Sequence, residues 1–296
     1  MVPGTAILVL LVMTGAHFRS QASSAAQFEA RARRADRVSR LQLGLSSASE
    51  AEKTAVMAVT DQDSKASADL ARAATAQVER ERQELEAMLR SGGTPREMDL
   101  LDQFSRSFVE FQRIDGEILA LAIKNTNLKA YGLAFGPAAQ AVQEMDDALS
   151  KLAAKSAGSP DGTKILQLAF AAQTSGLRIQ TLLAPHIAEE SDAQMDKLEA
   201  SMAKDDEKVR SALDGLGAIP RLRGDADLAS AAQSYARFSD LRKDILALSR
   251  ENTNVRSLTL SLNQKRKVAT VCEDALTSLK QAILDEPVPV TPVSPR

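Results

Sequence analysis

Apolar residues recur along this chain at alternating three- and four-residue steps, the spacing that puts side chains on one face of a helix. Val38, Leu41, Leu45, Ala48, Ala55 and Val59 form the first stripe and predict a helix over residues 27–60, with Glu52 in its one polar slot. Leu70, Val78, Leu85 and Met88 predict a second helix to about Arg90, its outer face carrying Glu79, Arg80, Glu81 and Arg82. Leu101, Phe104, Phe108, Phe111, Ile114, Ile118 and Leu121 predict a third, from Pro95 to about Lys124. The fourth has the cleanest spacing: Leu128, Tyr131, Phe135, Ala138, Val142, Met145, Leu149 and Leu152, with a local kink expected at Gly136-Pro137.

The plan then repeats. Ile165, Leu168, Ala172, Ile179 and Leu182 predict a first helix ended at Ala184-Pro185. Met195, Leu198, Met202, Val209, Ala212 and Leu216 predict a second, with Asp205 in a core-register slot. Leu228, Tyr235, Phe238, Leu241, Ile245 and Leu248 predict the third, and Val255, Leu258, Leu262, Ala269, Cys272, Leu276, Leu279 and Ile283 the fourth. The duplication is visible in the letters themselves. Glu117–Asn127, EILALAIKNTN, returns 127 residues later as Asp244–Asn254, DILALSRENTN, and 15 of the 52 positions aligned without a gap from Leu101/Leu228 to Leu152/Leu279 are identical. A period of that length is a small domain rather than a solenoid unit.

Polar interruptions set the expected connections. Thr60–Ser64 (TDQDS) is rich in helix-capping residues, and Ser91-Gly92-Gly93-Thr94-Pro95 offers a glycine stop followed by a Thr-Pro-x-Glu start. Ala157–Gly162 (AGSPDG) is the strongest break and is the expected domain boundary. Asn125 is expected to end helix three and Asn127 to cap helix four, with Asn252 and Asn254 doing the same in the second copy. The expected fold is all-α: two tandem antiparallel four-helix bundles over residues 27–156 and 163–285, followed by a Pro-rich disordered tail over 286–296. The alternative is one long four-helix bundle made of two helical hairpins, in which TDQDS, NTN and Pro185 do not turn the chain.

Composition narrows the chemistry. The 296 residues are 44% hydrophobic, 26% charged and 3% aromatic, with no Trp and a formal net charge of −2. No basic face alternates with stacking aromatics, so nothing points to nucleic acid. The single cysteine, Cys272, has no intramolecular partner and aligns with Met145, which makes it an expected core residue. At the other end of the chain, Thr5–Ala16 is an unbroken run of apolar and small residues, short for a membrane span and of the right length for a signal-peptide core, with Ser20-Gln21-Ala22 as a cleavage site. A membrane anchor reaching from Val2 to Phe18 is the competing reading. No Lys or Arg precedes the run, while Arg19, Arg31, Arg33, Arg34 and Arg37 follow it, a bias that by itself favours holding the next segment in the cytoplasm. The expectation is a signal peptide or anchor over residues 1–26, with the helical part extracytoplasmic.

A helix ending in ILALA, a short turn containing Asn, and a helix ending in DDALSKL resemble the second half of the four-helix-bundle sensor domain of methyl-accepting chemotaxis receptors. The resemblance covers Gln27–Ala154 best and Thr163–Leu284 as a second copy. It implies a homodimeric, non-catalytic module outside the cytoplasmic membrane that binds a small polar ligand of the amino-acid or organic-acid type, or a partner protein. The chain departs from the family in carrying no second span and no methylated signalling hairpin. A structural spacer or adaptor with no small ligand is the reading from another class.

Candidate chemistry is sparse. His17 lies in or beside the leader, and His186 follows Pro185, where it reads as a surface or capping residue. Glu189, Glu190 and Asp192 have a metal-like density, but acids are expected in the first turn of a helix. There is no HExxH, CxxC, GxSxG or Gly-rich phosphate loop, so no catalytic residue, metal ligand or cofactor is expected, and no ligand-binding residue is singled out. Glu52 and Asp205 stay open between drifting to the surface and lining a polar cavity or subunit interface, because a buried acid is costly unless paired.

Overall fold

The computed structural model describes residues 4–286, with side chains from residue 25 onward. The side chains of the apolar run and of His17, and the tail from Pro287, lie outside the described residues, so the expected leader and disordered tail fall there too. Among the described residues no helix is long and apolar enough to cross a membrane.

The fold is all-α and 91% helical, with six helices packed antiparallel, two of them long and bent, among the described residues. In chain order the helical segments are α1 (Gly4–Met57), α2 (Asp61–Gly92), α3 (Pro95–Ala122), α4 (Thr126–Leu133), α5 (Ala139–Ser156), α6 (Gly162–Ala188), α7 (Asp192–Gly217), α8 (Ala226–Glu251), α9 (Thr253–Leu260) and α10 (Arg266–Asp285). A π-helical turn, Ala134–Ala138, joins α4 to α5, and a second, Ser261–Lys265, joins α9 to α10. Segments α3 to α5 make one bent helix over residues 95–156, and α8 to α10 make the other over 226–285.

The predicted stop and start between α2 and α3 form as the sequence indicates, and Asp225 adds a cap that the sequence reading did not name. Thr94 and Glu97 make a reciprocal capping box at the start of α3, each side chain accepting from the other's backbone N–H at 3.2 Å. Gly93 donates to Leu89 O at 2.7 Å and closes α2. Asp225 accepts from the N–H groups of Asp227 and Leu228 at 2.9 and 3.1 Å and caps α8. Pro185 does not end a helix: it lies inside α6, which runs on to Ala188.

The chain divides into two compact units. Among the described residues unit 1 holds 4–58, 62–119 and 260–286, and unit 2 holds 59–61 and 120–259. Neither unit is one copy of the repeat. Unit 1 takes α1, α2 and α3 from the first copy and α10 from the second, and unit 2 takes α6, α7 and α8 from the second copy and α5 from the first. The stretch at Ala157–Gly162, expected to be the boundary between domains, is a turn inside unit 2 between α5 and α6. The NTN segments, expected to reverse the chain between antiparallel helices three and four, instead bend the two long helices.

Unit 1 has an apolar core of Val38–Ala48 positions on α1, Val78, Leu85 and Leu89 on α2, Leu101 to Phe111 on α3 and Cys272 to Ile283 on α10. Phe104, Phe108 and Phe111 stack along it at centroid separations of 5.3 and 5.8 Å. Gly44 lets α1 approach α2 closely, since a Cβ there would meet Val78 Cγ2 at 2.8 Å. Unit 2 is cored by Val142, Met145, Leu149 and Leu152 of α5, Ile165 to Ile187 of α6, Met202 to Leu216 of α7 and Tyr235 to Ile245 of α8.

The burial pattern extends the duplication beyond the stretch visible in the letters. Each of the eight buried α1 positions from Arg34 to Val56 falls on a buried α6 position 131 residues later. Ser64, Ala71, Val78, Glu81 and Leu85 of α2 map in the same way onto Met195, Met202, Val209, Ala212 and Leu216 of α7.

Candidate functional site

The two π-helical turns occupy equivalent places in the repeat, 127 residues apart. Pro137 sits in the first and has no counterpart in the second, so proline is not what the turns share. Both follow an asparagine in the left-handed region, Asn125 at φ 51° and Asn252 at φ 53°, a conformation Asn tolerates better than most residues. The break and the extra residue in the turn rotate the helix relative to the predicted stripe. Leu258 and Leu262, expected inside, are exposed, while Ser257, Ser261 and Lys265 are buried. In the other copy Phe135 is exposed and Ala130, Ala134 and Ala138 are buried. π turns concentrate at functional sites, and here each one brings a charged layer into view.

In unit 1 that layer is almost fully enclosed. Lys265, at the end of its π turn, is 2% exposed and is ion-paired to Asp115 of α3, itself 3% exposed. The Lys265 ammonium lies 3.8 Å from the centroid of the Phe111 ring, a cation–π contact. The Thr75 hydroxyl donates to the other Asp115 oxygen at 3.4 Å. Glu52 of α1 is 0% exposed, and its carboxylate is 4.0 Å from Lys265 Nζ. Neither Glu52 oxygen has a hydrogen-bond partner of normal geometry. Burial pushes its carboxyl up from the ordinary 4.5, and the charge of Lys265 and the Ser261 hydroxyl offset this only partly. Of the readings the sequence left open for Glu52, drift to the surface is therefore corrected.

In unit 2 the equivalent layer carries its charge nearer the surface. Asp206 of α7 accepts from Tyr235 Oη, from Arg242 Nη2 at 2.9 Å and from Arg210 Nε at 2.7 Å. Burial works upward on Asp206, but the hydrogen bonds from Arg210 and Tyr235 and the charge of Arg242 hold its carboxyl below the usual range. Arg210 also donates to Ser239 at 3.2 Å. Arg242 Nη1 is buried without a hydrogen-bond partner, and so is Oε1 of Gln180, whose amide nitrogen donates to the π-turn carbonyl of Ala134 at 2.7 Å.

The NTN segments meet each other inside unit 2. Thr126 N donates to Thr253 Oγ1 at 3.2 Å and Thr253 N to Thr126 Oγ1 at 3.1 Å. Asn127 N donates to Asn254 Oδ1, and Asn254 N to Asn127 Oδ1, both at 3.1 Å. Each copy thus caps the helix start of the other. Asn127 does not cap its own helix; its amide donates to Ile187 O and Asn252 Oδ1, both at 2.7 Å. Asn125 donates to Asp61 and Asn252 to Glu189 O, so all four asparagines serve a clasp.

His186 is fully buried, not a surface residue. Its Nδ1 faces Ser249 Oγ and its Nε2 faces Glu199 Oε1, both at 2.8 Å, and Arg250 Nε donates to that same glutamate oxygen at 2.7 Å. The order serine–histidine–carboxylate is that of a nucleophilic triad. Ser249 is 0% exposed and its hydroxyl also donates to His186 O at 3.0 Å, so the network ties the end of α6 to α7 and α8. Asp205 is mostly buried and accepts from Lys208 at 2.7 Å. Glu189 accepts from the N–H groups of Glu190 and Ser191, and Asp192 lies 3.8 Å from Arg250. Among the described residues no group of three or more such side chains is placed to hold a metal ion. Cys272 is buried in the unit 1 core, where burial raises its thiol pKa.

Lys265, Asp115, Asp206, Arg242, Ser249 and Glu199 were not singled out by the sequence. One signal was available: between Leu262 and Ala269 the stripe of the last helix skips an inward slot, and Lys265 fills it. No protein-family model and no curated protein matches this chain.

Proposed function

We propose that the chain is a non-catalytic, chemoreceptor-type sensor module that binds a small polar ligand within its helical units, each unit acting as a four-helix bundle. One observation carries this reading: a charged layer at each π turn holds buried hydrogen-bonding groups that the protein itself does not satisfy. These are the Glu52 oxygens in unit 1 and Arg242 Nη1 with Gln180 Oε1 in unit 2. Buried polar groups without partners are rare in folded proteins. Arg242 keeps one edge of a guanidinium unused, the geometry suited to a carboxylate, which favours organic acids or amino acids as ligands. The apolar run at Thr5–Ala16 supports placement outside the cytoplasm, by anchor or by export, with the working form a homodimer.

The test is a thermal-shift screen of the full chain against organic acids, amino acids and polyamines. A ligand at 100 times its Kd stabilises the protein by about 2.7 kcal/mol, and Arg242→Met removes the shift given by carboxylates. No shift with any compound ends the small-ligand reading.

A second reading, a spacer or adaptor without a small ligand, is favoured by one surface feature. Leu166, Phe170 and Leu177 leave an outward apolar stripe on α6. Light scattering of wild type against Phe170→Glu tests it: a change in mass supports an interface there, and identical masses with no captured partner remove it.

A further inference from the structure

Glu52 stands apart from every other acid in the described residues by the company it keeps. It lies on the inner face of α1, 0% exposed, between Ala48 and Ala55, which are buried as completely. The charged groups around it come from two other segments. Lys265, in the π turn before α10, is 4.0 Å away but is already committed to Asp115 of α3. From α2 the facing side chain in this layer is Thr75, whose hydroxyl is directed to Asp115 at 3.4 Å. On its own helix Lys53 points to solvent and acts only at a distance. The layer therefore contains one ammonium and two carboxyl groups, and the ammonium has chosen.

An ionised carboxylate in that position would be a second negative charge with no hydrogen bond of normal geometry on either oxygen, helped only by the nearby Ser261 hydroxyl of the same π turn and by Lys265 at 4.0 Å. Transfer of such a charge into an apolar interior is costly enough that the group takes up a proton instead. The neutral acid needs neither a counter-ion nor two hydrogen bonds, and it leaves the Lys265–Asp115 pair balanced.

We infer that Glu52 is a proton-binding site that keeps its proton to higher pH than an ordinary glutamate, and that its ionisation is a pH-sensitive switch built into unit 1. Losing the proton leaves Lys265 between two carboxylates. Because Lys265 closes the π turn Ser261–Lys265, that competition acts directly on the bend of the second long helix. The sign of the linkage follows. The folded-state pKa is raised above the unfolded 4.5, so the stabilisation is full below about 4.5 and is lost as pH rises through the folded value. Glu52 is also one of the groups offered to a ligand above, but the switch operates in the unliganded protein, so a flat pH profile overturns the switch and leaves the outcome of the ligand screen to decide the other reading.

The experiment compares the full chain with Glu52→Gln, which mimics the neutral acid in shape. Urea unfolding is followed from pH 5 to pH 9 in choline chloride. The expected result is that the unfolding constant of wild type rises relative to E52Q by up to tenfold per pH unit, until Glu52 is ionised, while E52Q lacks this component. Parallel profiles for the two proteins overturn the proposal. Should E52Q fold poorly, the wild type decides alone: with 13C-labelled glutamate, the carboxyl resonance assigned to Glu52 titrates at higher pH than those of the exposed glutamates, and a Glu52 resonance that titrates with them overturns the proposal. A third arm replaces choline with potassium or ammonium at fixed pH. An unchanged profile supports the proton, and stabilisation by either cation assigns the site to a cation instead and overturns the inference.

Discussion

The charged layers of the two units are the same place in the repeat, built with opposite economy of burial. Thr75 of unit 1 corresponds to Asp206 of unit 2, Phe108 to Tyr235, Asp115 to Arg242, Glu52 to Leu183 and Lys265 to Ala138. In unit 1 the acid on the third helix meets a lysine from the fourth, and the pair is sealed in the interior. In unit 2 the third helix carries the base instead, the acid has moved to the second helix, and the fourth helix contributes only a methyl group. The pair then sits at the α7–α8 seam with side chains 16% and 12% exposed, and Arg210, 56% exposed, joins Asp206 from the water side. The backbone tolerated both solutions because a helix layer constrains size and direction, not the sign of charge. The difference lies in cost: two charges removed from water need excellent geometry to break even, whereas the largely exposed Arg210 that unit 2 adds to its pair costs little and contributes little.

The sharpest way to break the comparison is to give unit 2 the acid that unit 1 tolerates. Leu183→Glu places a carboxylate where Ala138 offers no ammonium, losing a core side chain as well, and is expected to destabilise by about 5 kcal/mol at pH 8. Urea unfolding measures it, and Ala138→Lys in the same background should restore some of the loss. An unaltered midpoint for Leu183→Glu would show that the two layers are not equivalent.

Next in size is Asp115→Ala, which leaves Lys265 in the interior with only the more distant Glu52 and is expected to cost about 3 kcal/mol. Replacing both partners, Asp115→Leu with Lys265→Met, should be near neutral or stabilising by about 1–4 kcal/mol. A double variant as unstable as the single one would mean that the ion pair specifies the fold rather than burdening it.

Tyr235→Phe, which installs the residue unit 1 has at Phe108, removes one donor from a partly exposed Asp206 and is expected to cost about 1 kcal/mol at pH 7. The contribution of Asp206 carries the opposite pH sign to that of Glu52. Its folded pKa is depressed, so its stabilisation is present above the unfolded 3.8 and is lost as pH falls through the folded value. The Tyr235→Phe deficit should therefore shrink in acid, as denaturation at pH 3 against pH 7 would reveal. The smallest effect belongs to Arg210→Ala, expected to cost about 1 kcal/mol or less because its guanidinium is largely in water; a loss matching that of Asp115→Ala would overturn the exposed-pair account.

Much of the helical content was legible from spacing alone. The inner faces of α1, α3, α5 and α10, the Thr94–Glu97 capping box and the stop at Gly93 follow from local rules that need no neighbour. The failures are as local in origin. Leu70, Leu258, Leu262 and Phe135 keep helical spacing yet point outward, and Ser64, Ser67, Ala68 and Ser261 take the interior. A stripe read at 3.6 residues per turn carries no sign of an αL residue or a π turn, which displace the inward slots around Phe135 and from Leu258 to Leu262; the misread slots on α2 have no such feature. His186 looked like a capping residue because Pro185 looked like a stop. Proline ends a helix only where nothing compensates for the lost N–H, and α6 continues one turn beyond it to bury the imidazole between Ser249 and Glu199.

What the sequence by itself determined is the all-α class, the duplication and the position of NTN within it, since composition, period and repeat are properties of the chain alone. What only tertiary structure decided is partnership. Nothing in the letters says that Thr126 and Thr253 cap each other's helix starts, that the fourth helix of each copy packs with the first three of the other, or that Lys265 pairs closely with Asp115 and lies farther from Glu52. Those choices are made by side chains far apart in the chain, and they depend on which arrangement leaves the fewest buried polar groups unpaired. Local spacing cannot rank such arrangements, because each of them presents the same stripes.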